Sequence, residues 1–213
     1  MNVLIAGACE QTGRCLADFL VKRTDHKAFA IVRQEELQQA LEHMDREHIV
    51  TMPENHEELD ALTAGMDAFV YAGGCDVKTN DPRMNHSTLE DTKSLIQAAV
   101  YNQAGRFILL SAMGADDPQG ANEDYLLKKR EAEDFLKNSG LDYTVIRAGE
   151  LTRREPSGKV TIDKDIHWIK DPTVSCADVA KVIAVSLDSE KMINQTLDLV
   201  SGDTPIEEAV ENM

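Results

Sequence analysis

Short apolar runs alternate with longer amphipathic segments along most of this chain. Within those segments apolar residues recur at helical spacing, as Leu16, Phe19 and Leu20 do. Runs of four to eight apolar residues are typical of strands buried on both faces, whereas the i, i+3, i+4 spacing is typical of helices with one buried face. We therefore predict strands at residues 2–6, 28–32, 48–51, 67–72, 106–111 and 143–147, and helices at residues 12–23, 34–43, 54–64, 87–102 and 124–138.

The regular succession of strand and helix predicts the fold class. Parallel strands joined by crossover helices form a sheet that helices cover on both faces. The sequence thus predicts an α/β protein with a Rossmann-type doubly wound parallel sheet and helices on both faces. The 213 residues are enough for one such domain, and no linker, repeat or low-complexity tract divides residues 1–213.

The last third of the chain is less regular. Residues 152–171 are charged and are predicted to form mostly loops. We expect a small strand at residues 160–162, a helix begun by Ser175 with capping-box spacing, a strand at residues 196–200, and a final helix with Thr204 as N-cap and Pro205 in its first turn. Residues from about 150 to 213 are expected to form a small C-terminal region on the substrate side.

Charge and composition exclude several classes of function. The formal net charge is −16, from 38 acidic and 22 basic residues, so the surface repels nucleic acid. No apolar run approaches the roughly 18 residues of a membrane span. The cysteines and histidines show no metal-ligand spacing, which predicts no metal site and a reduced, cytoplasmic location. The expected partner is a small-molecule substrate, and the chain is expected to be a monomer or homodimer.

A glycine-marked turn follows the first predicted strand and opens the first predicted helix. A strand, a tight glycine turn and a helix N-terminus together form a binding site for the diphosphate of a dinucleotide. Gly7 is suited to the turn, and Gly13 to close packing of the helix on the strand. The position where the pattern has its middle glycine is Glu10, whose carboxylate would lie beside two phosphate charges. We predict that the cofactor contacts Gly7, Glu10, Gln11, Thr12 and Gly13.

Arg33 follows the second predicted strand, at the position that faces the adenosine ribose in such folds. An acidic residue there favours NAD, and an arginine favours the 2′-phosphate of NADP. A cation just before a helix meets the positive end of the helix dipole, which is mildly unfavourable and favours a ligand role over a merely solvated one. The prediction is therefore NADP(H) in preference to NAD(H).

Three residues form a candidate catalytic set. Tyr125 and Lys129 lie four apart on one predicted helix and therefore share a face, and Ser111 ends the fifth strand 14 residues before Tyr125. Hydride transfer to a carbonyl builds negative charge on oxygen, which a tyrosine phenol can neutralise by giving up its proton. A nearby ammonium lowers the pKa of such a phenol. We predict that Tyr125 is the acid and that Ser111 orients the carbonyl. Lys129 is predicted to lower the pKa of Tyr125 and to bind the ribose.

With these residues in place, the chain resembles the atypical short-chain dehydrogenase/reductases, a group of NAD(P)H-binding proteins that includes NmrA-like members. Nearly the whole chain takes part in the resemblance. The matching segments are the turn at 7–13, Arg33, residues 67–74, RFILLSA at 106–112, the Tyr125 and Lys129 pair, GLDYTVIR at 140–147, DVA at 178–180 and GDTPI at 202–206. The resemblance implies that Ala72, Gly73 and Gly74 line the nicotinamide side of the cleft and that Ala148 also contacts the cofactor.

Three functions remain open at this point. The first is an NADP(H)-dependent oxidoreductase that reduces a small carbonyl or quinone-like substrate. The second is a non-catalytic NADP(H)-binding regulator or redox sensor. The third is a nucleotide-free relative whose site is blocked by Glu10, because that carboxylate would repel the diphosphate.

Overall fold

A computed structural model of the protein describes residues 1–23, 25–42, 44–53, 55–73 and 82–213. Eleven strands occur in these residues: β1 (Asn2–Ala6), β2 (Lys27–Val32), β3 (Ile49–Thr51), β4 (Ala68–Tyr71), β5 (Arg106–Ala112), β6 (Tyr143–Ala148), β7 (Glu150–Thr152), β8 (Lys159–Asp163), β9 (Thr173–Ser175), β10 (Gln195–Ser201) and β11 (Thr204–Pro205). The α-helices of the same ranges are α1 (Gln11–Arg23), α2 (Leu37–Leu41), α3 (His56–Leu62), α4 (Pro82–Tyr101), α5 (Glu123–Lys137), α6 (Cys176–Ser186) and α7 (Ile206–Glu211).

Nine of the strands form one sheet, in the order β11-β8-β10-β6-β5-β4-β1-β2-β3. The seven strands from β10 to β3 are parallel to their neighbours, and β8 and β11 extend that edge in antiparallel pairing. The order reverses between β1 and β4, and ligands of open parallel sheets bind at such a reversal, outside the carboxyl ends of the strands. The predicted doubly wound fold is confirmed.

Helices cover the sheet on both faces, and successive strand residues point to opposite sides, so each strand contributes buried residues to both faces. Two apolar clusters result, one on each face. On one face Val3 and Ile5 join Leu16 of α1 and Ile183 of α6, and on the other Leu4 and Phe69 join Ile96 of α4 and Leu136 of α5. This two-sided burial explains the continuous apolar runs, since an alternating strand would leave one face polar.

The largest differences from the predicted elements lie near the C-terminus. Thr204 and Pro205 pair with β8 as the short strand β11, so the final helix begins at Ile206 and Thr204 is not its N-cap. The predicted irregular segment, residues 152–171, is flanked by β7 and β9, which form a separate parallel pair. Much of residues 150–213 extends the main sheet, and only part of this region reaches the cleft.

Smaller differences concern helix ends. The segment predicted as a helix over residues 34–43 forms a short 3₁₀ turn at Gln34–Glu36 followed by α2. Helix α3 begins at His56, where the Asn55 side chain accepts a hydrogen bond from the Glu58 N–H at 2.9 Å. The helix therefore begins two residues later than the predicted start at residue 54. The Ser175 cap of α6 is present as predicted, accepting from the Asp178 N–H at 3.0 Å.

Candidate functional site

A cavity of about 630 Å³ opens at the carboxyl ends of β1, β5 and β6. Its wall includes the first turn of α1 and the start of α5, so residues far apart in sequence meet there. The lining contains Glu10, Gln11, Thr12, Ser111, Ala112, Met113, Tyr125, Leu126, Ala148, Glu150, Leu151, Arg153 and Asp171. The cavity thus lies where the fold predicts a ligand, and it is large enough for a small organic substrate beside part of a cofactor.

The glycine turn is shaped by close approach of two backbones. Gly7 has a φ of +83°, a conformation that side chains disfavour, and a Cβ at this position would lie 2.6 Å from the backbone nitrogen of Gly73. A Cβ on Gly13 would collide with the Gly7 carbonyl, which confirms the predicted close packing of α1 on the turn. Gln11 and Thr12, in the first turn of α1, line the cavity, and the first N–H groups of a helix have no acceptor within it, so this backbone fits a diphosphate.

Glu10 is the group in the turn that opposes a diphosphate. Its side chain reaches across the groove, and its Oε1 would lie 3.3 Å from a Cβ on Gly73. The ring of Tyr71 lies on the same residue, with its Cε1 3.4 Å from that position. Burial raises the pKa of the Tyr71 phenol above its usual range, although a hydrogen bond from Thr92 and the charge of Lys129 act in the opposite direction. Gly73 therefore lies between a carboxylate and a neutral phenol.

Arg33 lies beside the glycine turn, as predicted. Strands β1 and β2 pair with Ala6 opposite Ile31, which brings the end of β2 level with the turn. The Gln39 amide also donates to the Cys9 carbonyl at 3.2 Å and ties the turn to α2. The Arg33 guanidinium is not simply solvated, because it donates to Asp91 of α4. That ion pair was not predicted, and nothing local in the sequence indicates it.

Tyr125 and Lys129 share one face of α5. Tyr125 is half-buried and lines the cavity, while Lys129 is buried beneath it with its Nζ 5.7 Å from the centroid of the Tyr125 ring. The Lys129 ammonium donates to the carbonyls of Gly73 at 3.2 Å and Leu110 at 3.1 Å. These bonds fix a positive charge between the ends of β4 and β5, next to the phenol.

Ser111 reaches the same cavity, but its hydroxyl has a different partner from the one expected. Its Oγ lies 2.6 Å from Oε1 of Glu133, a fully buried residue of α5. Arg147 of β6 donates to both oxygens of Glu133, at 3.0 Å from Nε and 2.7 Å from Nη2, and Lys137 lies 3.1 Å away. Burial alone would raise the pKa of Glu133, but the bonds from Arg147 and Ser111 hold it below its usual value. Since a carboxylate can only accept, Ser111 donates its proton to Glu133 and not to a substrate.

The helical periodicity of α5 in the sequence indicates that Glu133 is buried, although this residue is not among the predicted site residues. Positions 125, 129, 132, 133 and 136 lie on one helical face, and this face carries Tyr125, Lys129, Ala132 and Leu136. A carboxylate on that face needs a buried cation. Arg147 is the nearest strand residue able to supply one, since β5 and β6 pair with Ser111 opposite Arg147.

The remaining predicted contacts divide into three groups. Ala148 lines the cavity, as expected for a cofactor contact. Ala72 is completely buried in the core and is not among the residues that line the cavity. Gly74 lies outside the described residues. Within the described ranges no group of three or more His, Cys, Asp or Glu side chains could hold a metal ion, and no helix is long and apolar enough to span a membrane.

A doubly wound sheet with a glycine turn at the head of its first helix defines a dinucleotide-binding protein. Sequence comparison agrees, because a family described as NAD(P)H-binding matches residues 7–190. The chain belongs to this NAD(P)H-binding family. The predicted membership of an NAD(P)H-binding family is thereby confirmed.

Individual relatives match over the whole chain. YhfK of Bacillus subtilis (strain 168), named an uncharacterized sugar epimerase, is 34% identical over 217 residues and covers 100% of both chains. A Bacillus halodurans structure, provisionally described as an NAD-dependent epimerase/dehydratase, is 35% identical with a TM-score of 0.88 and 100% coverage of both chains. The structure of the oxidoreductase ylbE from Lactococcus lactis is 26% identical with a TM-score of 0.82, covering 100% of this chain and 96% of its own.

Proposed function

We propose that this protein is an NADPH-dependent reductase of a small carbonyl or quinone-like substrate. The observation that carries the proposal is that Tyr125 and the first turn of α1 line the same cavity. A dinucleotide held at that turn and a substrate held near Tyr125 would therefore occupy one continuous space. The membership of an NAD(P)H-binding family supports the cofactor.

The chemistry follows from the charges around Tyr125. Bound NADPH supplies a hydride to the carbonyl carbon. The carbonyl oxygen gains the electron pair, and Tyr125 gives it the phenolic proton, so that the product is an alcohol. The buried Lys129 ammonium, 5.7 Å from the ring, stabilises the phenolate that remains until solvent returns the proton. The Ser111 hydroxyl donates its hydrogen bond to Glu133, so it has no proton left to offer the carbonyl oxygen, and Tyr125 is the donor to that oxygen in this proposal.

Arg33 supports NADPH as the cofactor in this proposal. It is the cation beside the glycine turn where the adenosine ribose would lie. A guanidinium binds a phosphate through paired hydrogen bonds that a ribose hydroxyl cannot provide.

The test is NADPH oxidation, followed at 340 nm, over a panel of small aldehydes, ketones and quinones. Tyr125→Phe is expected to lower kcat by about 10²- to 10⁴-fold, the usual size of a general-acid contribution. Cofactor-induced stabilisation should persist in this variant, because the phenol is not needed for dinucleotide binding. Tyr101→Phe, which changes an exposed tyrosine at the end of α4, is the matched control and should be neutral. Full turnover in Tyr125→Phe would overturn the mechanism.

A second function, cofactor binding without turnover, is favoured by the bond from Ser111 to Glu133, which removes the expected carbonyl donor. Such a protein would report cofactor state to a partner. Burial, and to a smaller extent Glu36, raises the pKa of Cys9 to about 11, so this cysteine would not act as a thiolate sensor. The same assay separates the two functions, because a sensor would be stabilised by NADPH yet oxidise none on the whole panel.

A further inference from the structure

The ion pair between Arg33 and Asp91 joins two elements at the cofactor cleft. Arg33 directly follows β2, and its backbone N–H donates to the Glu36 carboxylate at 2.8 Å. Asp91 comes from α4, which packs against β4. Each of the two side chains is only 26% exposed, so the pair is shielded from solvent more than an ordinary surface ion pair.

The ion pair and its neighbour Glu36 bring together one guanidinium and two carboxylates, so acidic groups are in slight excess. Asp91 neutralises the single positive charge of Arg33, and the Glu36 carboxylate adds a further negative charge nearby. Both carboxylates raise the pKa of the guanidinium, against the effect of burial. A 2′-phosphate bound here would meet an arginine whose Nη2 already donates to a carboxylate.

The two cofactors make opposite demands on the pair. The 2′-phosphate of NADPH needs guanidinium donors, whereas the 2′-hydroxyl of NADH needs a carboxylate acceptor. Arg33 and Asp91 supply one group of each kind and bond them to each other. The 2′-phosphate of NADPH would therefore compete with Asp91 for Arg33 and meet its negative charge, whereas the 2′-hydroxyl of NADH would not.

We infer that Asp91 is a specificity-determining residue for the cofactor, which occupies Arg33 and thereby lowers the preference for NADPH that Arg33 alone would give. The inference rests on the proposed binding of NADPH at this cleft. It assigns the discrimination to a contact between β2 and α4 rather than to the end of β2 alone.

The experiment measures dissociation constants for NADPH and NADH by isothermal titration calorimetry with the full chain. The proteins are the wild type, Asp91→Asn, Arg33→Ala and the double variant. Asp91→Asn should raise the ratio of NADPH affinity to NADH affinity on the order of tenfold, because a charge-assisted bond no longer competes. In the Arg33→Ala background the same substitution should change the ratio by less than about threefold, since the competition requires both residues.

Glu90→Gln is the matched control. It removes the same charge from the adjacent residue of α4, whose side chain is 74% exposed and pairs with Lys93 rather than with Arg33. The cofactor preference should stay at the wild-type value. Asp91→Ser is the second variant, to be used if Asp91→Asn does not melt cooperatively, and it should shift the ratio in the same direction.

Each result decides something. A rise in the ratio for Asp91→Asn that disappears without Arg33 supports the inference. Binding of both cofactors with an unchanged ratio in the Asp91 variants overturns the inference and leaves the proposed function standing. An equal rise in Glu90→Gln also overturns it, because the effect would then be one of net charge. Binding of neither cofactor to any of the proteins overturns the proposed function and this inference together.

Discussion

Replacing Glu10 by glutamine should strengthen NADPH binding, because the wild-type carboxylate lies across the groove that the diphosphate would occupy. Its Oε1 lies 3.3 Å from the position of a Cβ on Gly73, on the far side of that groove. Two unit charges about 4 Å apart repel by about 1 kcal/mol in water and about 4 kcal/mol at an effective dielectric constant near 20. Since Glu10 is half-buried, we expect a gain of roughly 1–3 kcal/mol, or about 5- to 150-fold in affinity.

Thermal melting measures this gain without requiring a substrate. At a fixed, saturating NADPH concentration a tenfold lower Kd adds about 1.4 kcal/mol of stabilisation. For a protein of this size that corresponds to roughly 3–6 °C in Tm. Glu10→Gly removes the bulk as well as the charge and should bind at least as tightly as Glu10→Gln. Glu150→Gln removes another carboxylate of the cavity wall, outside the turn, and should have the smaller effect.

The opposite result would refute the reasoning. If Glu10→Gln binds NADPH more weakly than the wild type, the carboxylate accepts hydrogen bonds from the cofactor instead of repelling it. If only Glu10→Gly responds to NADPH, bulk rather than charge closes the groove. A response of wild type and variants to neither cofactor would favour the nucleotide-free alternative.

Two further predictions concern stability. Gly7→Ala should lower the free energy of unfolding by more than about 2 kcal/mol, because the new Cβ would lie 2.6 Å from backbone. Gly65→Ala has a similar φ of +79° but open space around the new Cβ, so it should lower the free energy of unfolding by only about 1 kcal/mol. Chemical denaturation compares the two variants, and equal losses would contradict the steric explanation. Glu133→Gln should cost about 3–5 kcal/mol by leaving Arg147 buried without its carboxylate, whereas Lys137→Met, which removes a more exposed partner, should cost about 1 kcal/mol or less. Because the pKa of Glu133 is lowered in the folded protein, its contribution to the free energy of unfolding is complete above the unfolded pKa near 4.5 and is lost as the pH falls further. If the stability of the wild type were as insensitive to pH below about 4.5 as that of Glu133→Gln, this assignment would be contradicted.

The sequence determined the order of the elements and the place of the cleft. Continuous apolar runs such as residues 106–111 can be buried only between two layers, so they predict a parallel sheet without reference to distant contacts. The glycine turn is equally local, since Gly7 and Gly13 lie within one strand–helix connection. Tyr125 and Lys129 were predictable as neighbours because helical periodicity alone places them on one face.

Elements that depend on distant partners could not be read in this way. Strands β7 and β9 are three residues each and are separated by the 20 residues from 153 to 172, so their pairing leaves no local pattern. Thr204 and Pro205 match the start of a helix locally, but the neighbouring edge of β8 pairs with them and shifts the helix start to Ile206. Local propensity yields to sheet pairing wherever an edge strand offers unpaired backbone groups.

The charges of the site were decided by tertiary structure. The sequence predicted Arg33 as a ligand of the 2′-phosphate and Ser111 as the group that orients the carbonyl, because each occupies the expected position at the end of a strand. The fold brings Asp91 to the first and Glu133 to the second, across 58 and 22 residues of sequence. Position along a strand determines where a side chain lies. Which charge it is paired with, and to which group it donates its proton in a hydrogen bond, depend on residues of α4 and α5. Only the packing of these helices against the sheet brings those residues within hydrogen-bond distance.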